Sequence, residues 1–305
     1  MKFKQILENI FAKLLSPKAQ KKSERIILTI AIASFFIHLL IIFLVDVDII
    51  HLDDPSILLG NPIAAVYTPF SFILIYEVYL LIYYLPKSFS TYISKQYEII
   101  ALIIIRRLFK DLSGLKLSSD WFKINYDLQF TYDLIASVLL FFLIYLFVKQ
   151  SKKRYGAVEI DETNDPGLSR FITIKKVIAI TLVPILFIVA SYSLVTWLLG
   201  SLNVIAQSEM HFKDVNNVFF EQFFTILIII DVILLLFSFY HTDEFHKVIR
   251  NSGFIISTIL IRLSFSVSGL LNTALIISAI VFGLLILIIH NKFEKELFEN
   301  KKLRS

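Results

Sequence analysis

The chain has 305 residues, 57% of them hydrophobic and 18% charged, with a mean hydropathy of +0.75 and a formal net charge of +5. Soluble domains carry about 25% charged residues, so this composition excludes an ordinary cytosolic enzyme, a disordered tail and a nucleic-acid binder. The absence of cysteine removes disulfides, thiolate metal sites and cysteine nucleophiles, and the few scattered glycines form no phosphate-cradling loop.

At the start of the chain, Phe3, Ile6, Leu7, Ile10, Phe11, Leu14 and Leu15 recur at helical spacing, with Lys2, Lys4 and Lys13 off that stripe and Pro17 ending it. The segment 1–24 reads as a basic amphipathic helix at the membrane surface, suited to anionic lipids. No small-residue cleavage site follows, so it does not read as a signal peptide.

Long apolar stretches then fall near 26–45, 66–85, 97–112, 130–148, 174–199, 218–239, 253–268 and 270–289. Crossing about 30 Å of hydrocarbon takes roughly 20 helical residues, with about 17 tolerated. The third and seventh stretches are short and each holds an arginine, so hydropathy alone leaves them doubtful.

An internal repeat argues for them. KSFSTYISKQYEIIALIIIRRLF aligns with DEFHKVIRNSGFIISTILIRLSF, placing Phe89 over Phe245, Ile103 over Ile259 and Arg106 over Arg262. Upstream, a two-residue slip brings Glu77 over Asp231. Each half then has four spans, with an acid in the second and an arginine in the third.

The sequence therefore predicts an all-α polytopic membrane protein of about eight spans in two four-helix repeats. These occupy 25–149 and 173–290, with a connection at 150–172 and a charged tail at 291–305. With both termini inside, 23 basic residues lie in inner segments and 5 in outer ones. The positive-inside rule then gives an N-in, C-in topology in a cytoplasmic (inner or plasma) membrane, and the two repeats share one orientation. The segment 107–129, with Trp121, Phe122 and Tyr126, is the misfit and reads as an interfacial piece on the outer face.

The sharpest chemical signal is intramembrane charge. Glu77 and Arg106 lie about 12 and 14 Å from the inner ends of adjacent spans, and Asp231 and Arg262 repeat those depths. A lone charge at a helix centre costs about 2.5–3.5 kcal/mol on insertion scales. Pairing offsets that cost, with Arg107 as a rival partner for Glu77. Such pairs can line an ion or proton pathway, or act as clamps that fix helix register.

Weaker candidates are His38, in mid-span, which reads more readily as a packing histidine than a proton relay, and Asp133, near the outer end of its span, which reads as interfacial. The outer loop DVDIIHLDD, with Asp46, Asp48, His51, Asp53 and Asp54, reads as a solvated acidic loop. In HTDEFH, His241 and His246 are separated by five residues, which does not put both on one helix face for a metal. Ser191, Thr196, Ser264 and Ser266 read as helix-packing hydrogen bonders, and Pro184 as a kink.

A voltage sensor needs several arginines on its fourth helix; the fourth spans here hold none, and a TVGYG filter is absent. Neither HExxH nor GxSxG occurs, so no enzyme is expected and no cofactor is implied. The expectation is transport or conduction of a small ion, with or without proton coupling. The alternative is a non-catalytic scaffold or regulatory subunit, as a homo-oligomer or beside a partner membrane subunit.

Overall fold

The computed structural model describes residues 2–49, 62–112, 125–153, 166–203, 215–241, 244–267 and 269–304. Among these residues every regular element is a helix, with no strand. In order come α1 (Lys2–Leu14), α2 (Pro17–Asp46), a short 3-10 helix (Pro62–Val66), α3 (Tyr67–Tyr84), α4 (Phe89–Leu112) and α5 (Asn125–Ser151). They are followed by α6 (Pro166–Asn203), α7 (Val215–His241), α8 (Phe245–Ser264) and α9 (Leu270–Arg304).

Five helical stretches are long and apolar enough to cross a membrane: Lys4–Asp46, Phe130–Ser151, Ser169–Tyr192, Gln222–Tyr240 and Leu270–Asn300. A shorter apolar helix spans Thr68–Tyr84. The arginine-bearing helices α4 and α8 are not among the five. Several of their polar residues face protein instead: α8 buries Asn251, Ser257, Thr258, Arg262 and Ser264, while α4 buries Ser94, Gln96 and Arg106. The apolar helices point large side chains outward, with Phe36 on α2 63% exposed, Val138 on α5 67% and Ile188 on α6 67%. Outward apolar surface on this scale suits a hydrocarbon solvent.

The chain divides into two compact units, Met1–Tyr83 with Ile99–Ser137, and Tyr84–Glu98 with Val138–Ser305. In the first, α1 stops where Ser16 turns extended before Pro17. The residue before a proline disfavours helix, and proline suits a first helical position. The Ser16 hydroxyl caps α2 by accepting from the Ala19 N–H at 3.2 Å. Tyr79 on α3 donates its hydroxyl to the Leu14 carbonyl at 2.9 Å, satisfying an acceptor that the end of α1 leaves open.

In the second unit, α8 packs against α7 and α9. The turn into α9 uses Gly269 at φ 73, a left-handed conformation that glycine adopts without Cβ strain. Asn272 donates to the Ser264 carbonyl across that turn. The charged segment after residue 290 continues as helix, so α9 reaches 35 residues, about 52 Å at 1.5 Å per residue. That exceeds the hydrocarbon thickness of about 30 Å. Pro184 lies inside α6, which stays helical on both sides.

His51, Asp53, Asp54, Trp121 and Phe122 lie outside the described residues, as do residues 154–165 of the connection between halves and the side chains of Tyr126, Thr196 and His241.

In the second unit, a Cβ added at Gly283 would strike the Tyr97 hydroxyl and come within 3.1 Å of Ser257 Oγ. Tyr97 is fully buried, bonded to Ser257 at 2.6 Å and packed edge-on against Phe147, so its ring has no room to retreat. Gly283→Ala should therefore cost about 1–3 kcal/mol, the usual scale of overpacking. Thermal unfolding in detergent should show Tyr97→Phe recovering part of that loss in the Gly283→Ala background. A Gly283→Ala variant as stable as the parent would contradict this packing.

Candidate functional site

The first unit holds two acid–arginine pairs and the second holds one, and they differ in how tightly they are made. In the first unit, α3 presents Glu77 and α4 presents Arg106, 3% and 7% exposed. Arg106 Nη1 stands 3.6 Å from Glu77 Oε2 and also faces the Phe70 carbonyl at 3.5 Å. Glu77 Oε2 is buried without a hydrogen-bond donor among the described residues. The contact is Coulombic, longer than a charge-assisted hydrogen bond of about 2.7–2.9 Å.

The adjacent Arg107 turns to a different acid. Its Nη2 donates to Asp133 Oδ1 at 2.8 Å and its Nε lies 2.8 Å from Oδ2, a two-pronged grip on a fully buried carboxylate. The end-of-span position of Asp133 led to an interfacial expectation; the structure instead buries it against α4. Successive helix positions diverge by about 100°, which is why neighbouring arginines serve two acids.

In the second unit, α7 presents Asp231 and α8 presents Arg262, 0% and 5% exposed, with Nη1 and Oδ2 2.7 Å apart. Two uncharged groups on α4 close this pair. Tyr92 donates its hydroxyl to Asp231 Oδ1 at 2.9 Å, and Gln96 Oε1 accepts from Arg262 Nη2 at 3.0 Å. Tyr92 and Gln96 are one helical turn apart, so both reach one spot.

Lys175, counted by sequence position with the inner basic flank of α6, is itself buried. It donates to the Lys87 carbonyl at 2.9 Å and lies 4.4 Å from the Phe89 ring centre and 4.9 Å from that of Phe171. A cation over aromatic faces recovers part of its lost hydration. No run of charges in the sequence singles out Tyr92 or Gln96; their spacing of four on one face was the available signal.

His38 is half-buried, its Nδ1 hydrogen-bonded to the Thr68 hydroxyl at 2.5 Å. Ser264 donates to the Ile261 carbonyl at 2.6 Å within its own helix. At the end of the α8–α9 hairpin away from the turn, His246 meets His290 and Glu294 from α9. Burial first, and then the neighbouring His290, hold the His246 imidazole below the ordinary histidine value. A hydrogen bond from Lys247 holds Glu244 below the usual carboxylate range.

No protein-family model matches the chain, and neither a curated protein nor a solved structure matches it.

The difference in grip sets an order of stabilities. Asp231→Asn leaves a buried guanidinium without its counter-charge and should cost about 3–5 kcal/mol. Tyr92→Phe removes one donor from a buried carboxylate and should cost about 1–3 kcal/mol. Glu77→Gln breaks only the loose contact and should cost less than Asp231→Asn. Unfolding midpoints of the three variants in one detergent check the order, and equal losses for Glu77→Gln and Asp231→Asn would contradict it.

Proposed function

We propose that the protein is an eight-span protein of the cytoplasmic (inner or plasma) membrane that moves a small ion through a proton-coupled step at its buried charges. In this reading it consists of two four-helix repeats of one orientation, with both termini cytoplasmic and the basic α1 on anionic lipid. The helices α4 and α8 then count as spans. Their 24 and 20 residues give about 36 and 30 Å, enough to cross the hydrocarbon. Burial of their polar residues against neighbouring helices is what lets arginine-bearing helices lie at that depth.

The observation that carries the transport reading is Glu77. Its carboxylate is buried on an apolar helix with one oxygen lacking a hydrogen-bond donor and a guanidinium 3.6 Å away. A buried carboxylate held that loosely gains by taking up a proton or a cation. Asp231, held by Arg262 at 2.7 Å and by the Tyr92 hydroxyl at 2.9 Å, makes the tighter counterpart in the other repeat. A second reading, a non-transporting scaffold or regulatory subunit in a homo-oligomer or beside a partner subunit, is favoured by the closure of Asp231 and Arg262 with Tyr92 and Gln96. A buried ion pair braced by two uncharged side chains can specify packing without further chemistry.

The two readings part in proteoliposomes loaded with a pH-sensitive dye, or with potassium or chloride reporters, under an imposed potential. Transport predicts flux above that of empty liposomes. Glu77→Gln, eluting as one folded species, should lower proton movement by about 100-fold, the scale of a lost proton-transfer group. Absence of flux of every ion with folded, oriented protein would leave the scaffold reading.

A further inference from the structure

We propose that Glu244, His246, His290 and Glu294 form a binding site for a divalent metal ion of the zinc class at the α8–α9 hairpin end. The site is independent of the ion-transport reading. Its residues come from two packed helices of one unit. His290 and Glu294 stand one turn apart on α9 and share a face, His246 lies in the first turn of α8, and Glu244 immediately precedes that helix. Ligand atoms of His246, His290 and Glu294 all lie within 4.8 Å of one another.

The distances fit a tetrahedral ion. Bonds of about 2.0–2.1 Å place neighbouring ligands about 3.3–3.4 Å apart. His290 Nε2 lies 3.2 Å from Glu294 Oε1, and His246 Nε2 lies 3.4 Å from Glu244 Oε2. Each is one edge of such a tetrahedron, and small side-chain rotations close the remaining edges. Two imidazoles and two carboxylates form a borderline donor set that suits zinc better than magnesium or calcium. The Glu244 side chain makes no helix-capping hydrogen bond, and Lys247 engages its other oxygen, Oε1, at 2.7 Å.

Two further observations bear on the site. His290 is 3% exposed, yet its Nδ1 is buried with no hydrogen-bond partner among the described residues. Its Nε2 faces a donor and an acceptor together, Arg250 Nη1 at 2.9 Å and Glu294 Oε1 at 3.2 Å, and can satisfy only one of them. An ion at Nε2 resolves that conflict, binding nitrogen and carboxylate at once. Arg250 yields the nitrogen and keeps Asn251 Oδ1, which accepts from its Nε and Nη2 at 3.1 Å each. The guanidinium is thus a competing cation that tunes affinity downward.

The test uses the full chain, purified in detergent without a histidine tag, stripped with chelator and titrated with zinc against a colour-forming competitor. Wild type should bind one zinc per chain. His246→Ala and His290→Ala, each checked to elute as one folded species, should weaken binding by more than about 100-fold. Arg250→Gln should tighten it by about tenfold as the competing charge is removed. Cobalt in place of zinc should give the intense visible absorption of four-coordinate geometry. No saturable binding, or zinc affinity unchanged in His246→Ala, overturns the site and leaves the four residues as an ion-pair cluster.

Discussion

A guanidinium on an apolar helix cannot be left without a counter-charge where water is scarce, and this constraint organises both units. Removing one partner from a buried pair costs about 3–5 kcal/mol, a large share of a domain's stability. Arg106, Arg107 and Arg262 each meet an acid on a neighbouring helix: Glu77, Asp133 and Asp231. The helices that carry arginine are therefore tied to the helices that carry acid, and neighbour choice follows from charge before apolar packing refines it. Apolar side chains alone give weak direction in lipid, because the solvent is as apolar as they are.

The same constraint accounts for which side chains face outward. Polar groups on α4 and α8 meet protein, while Phe36, Val138 and Ile188 on the apolar helices are exposed. A helix shielded by its neighbours need not pass a hydropathy threshold, whereas one facing hydrocarbon must. Within that common scheme the Glu77–Arg106 and Asp231–Arg262 pairs differ. Tyr92 and Gln96 brace the Asp231–Arg262 pair, while Glu77 faces Arg106 across a longer gap. The separation of 2.7 Å in one pair and 3.6 Å in the other is the feature on which a functional reading of the charges turns.

Much of the architecture was legible in the sequence, because the apolar stretches and the break at Pro17 are local signals. Rarity nominated Glu77, Arg106, Asp231 and Arg262: an ionisable residue among twenty apolar ones stands out without any fold. The supporting groups did not stand out. Tyr92 lies 139 residues from Asp231 and Gln96 lies 166 from Arg262 in sequence, and tyrosine and glutamine are ordinary helix residues. Asp133 lay too near a span end to be recognised as a core residue, and Lys175 was hidden among the basic residues that flank α6. His246 was weighed only against His241, its neighbour in sequence. Its partners His290 and Glu294 become visible only once α8 and α9 are folded back on each other.

The central claim, that arginine burial depends on the facing acid, is tested most directly at Asp231 and Arg262. Unfolding midpoints would be compared for Asp231→Asn, Arg262→Met and the double variant in the same detergent. Dependence predicts that the double variant is more stable than Asp231→Asn alone, because removing the stranded guanidinium is better than keeping it. Losses that simply add, leaving the double variant the least stable of the three, would contradict the account.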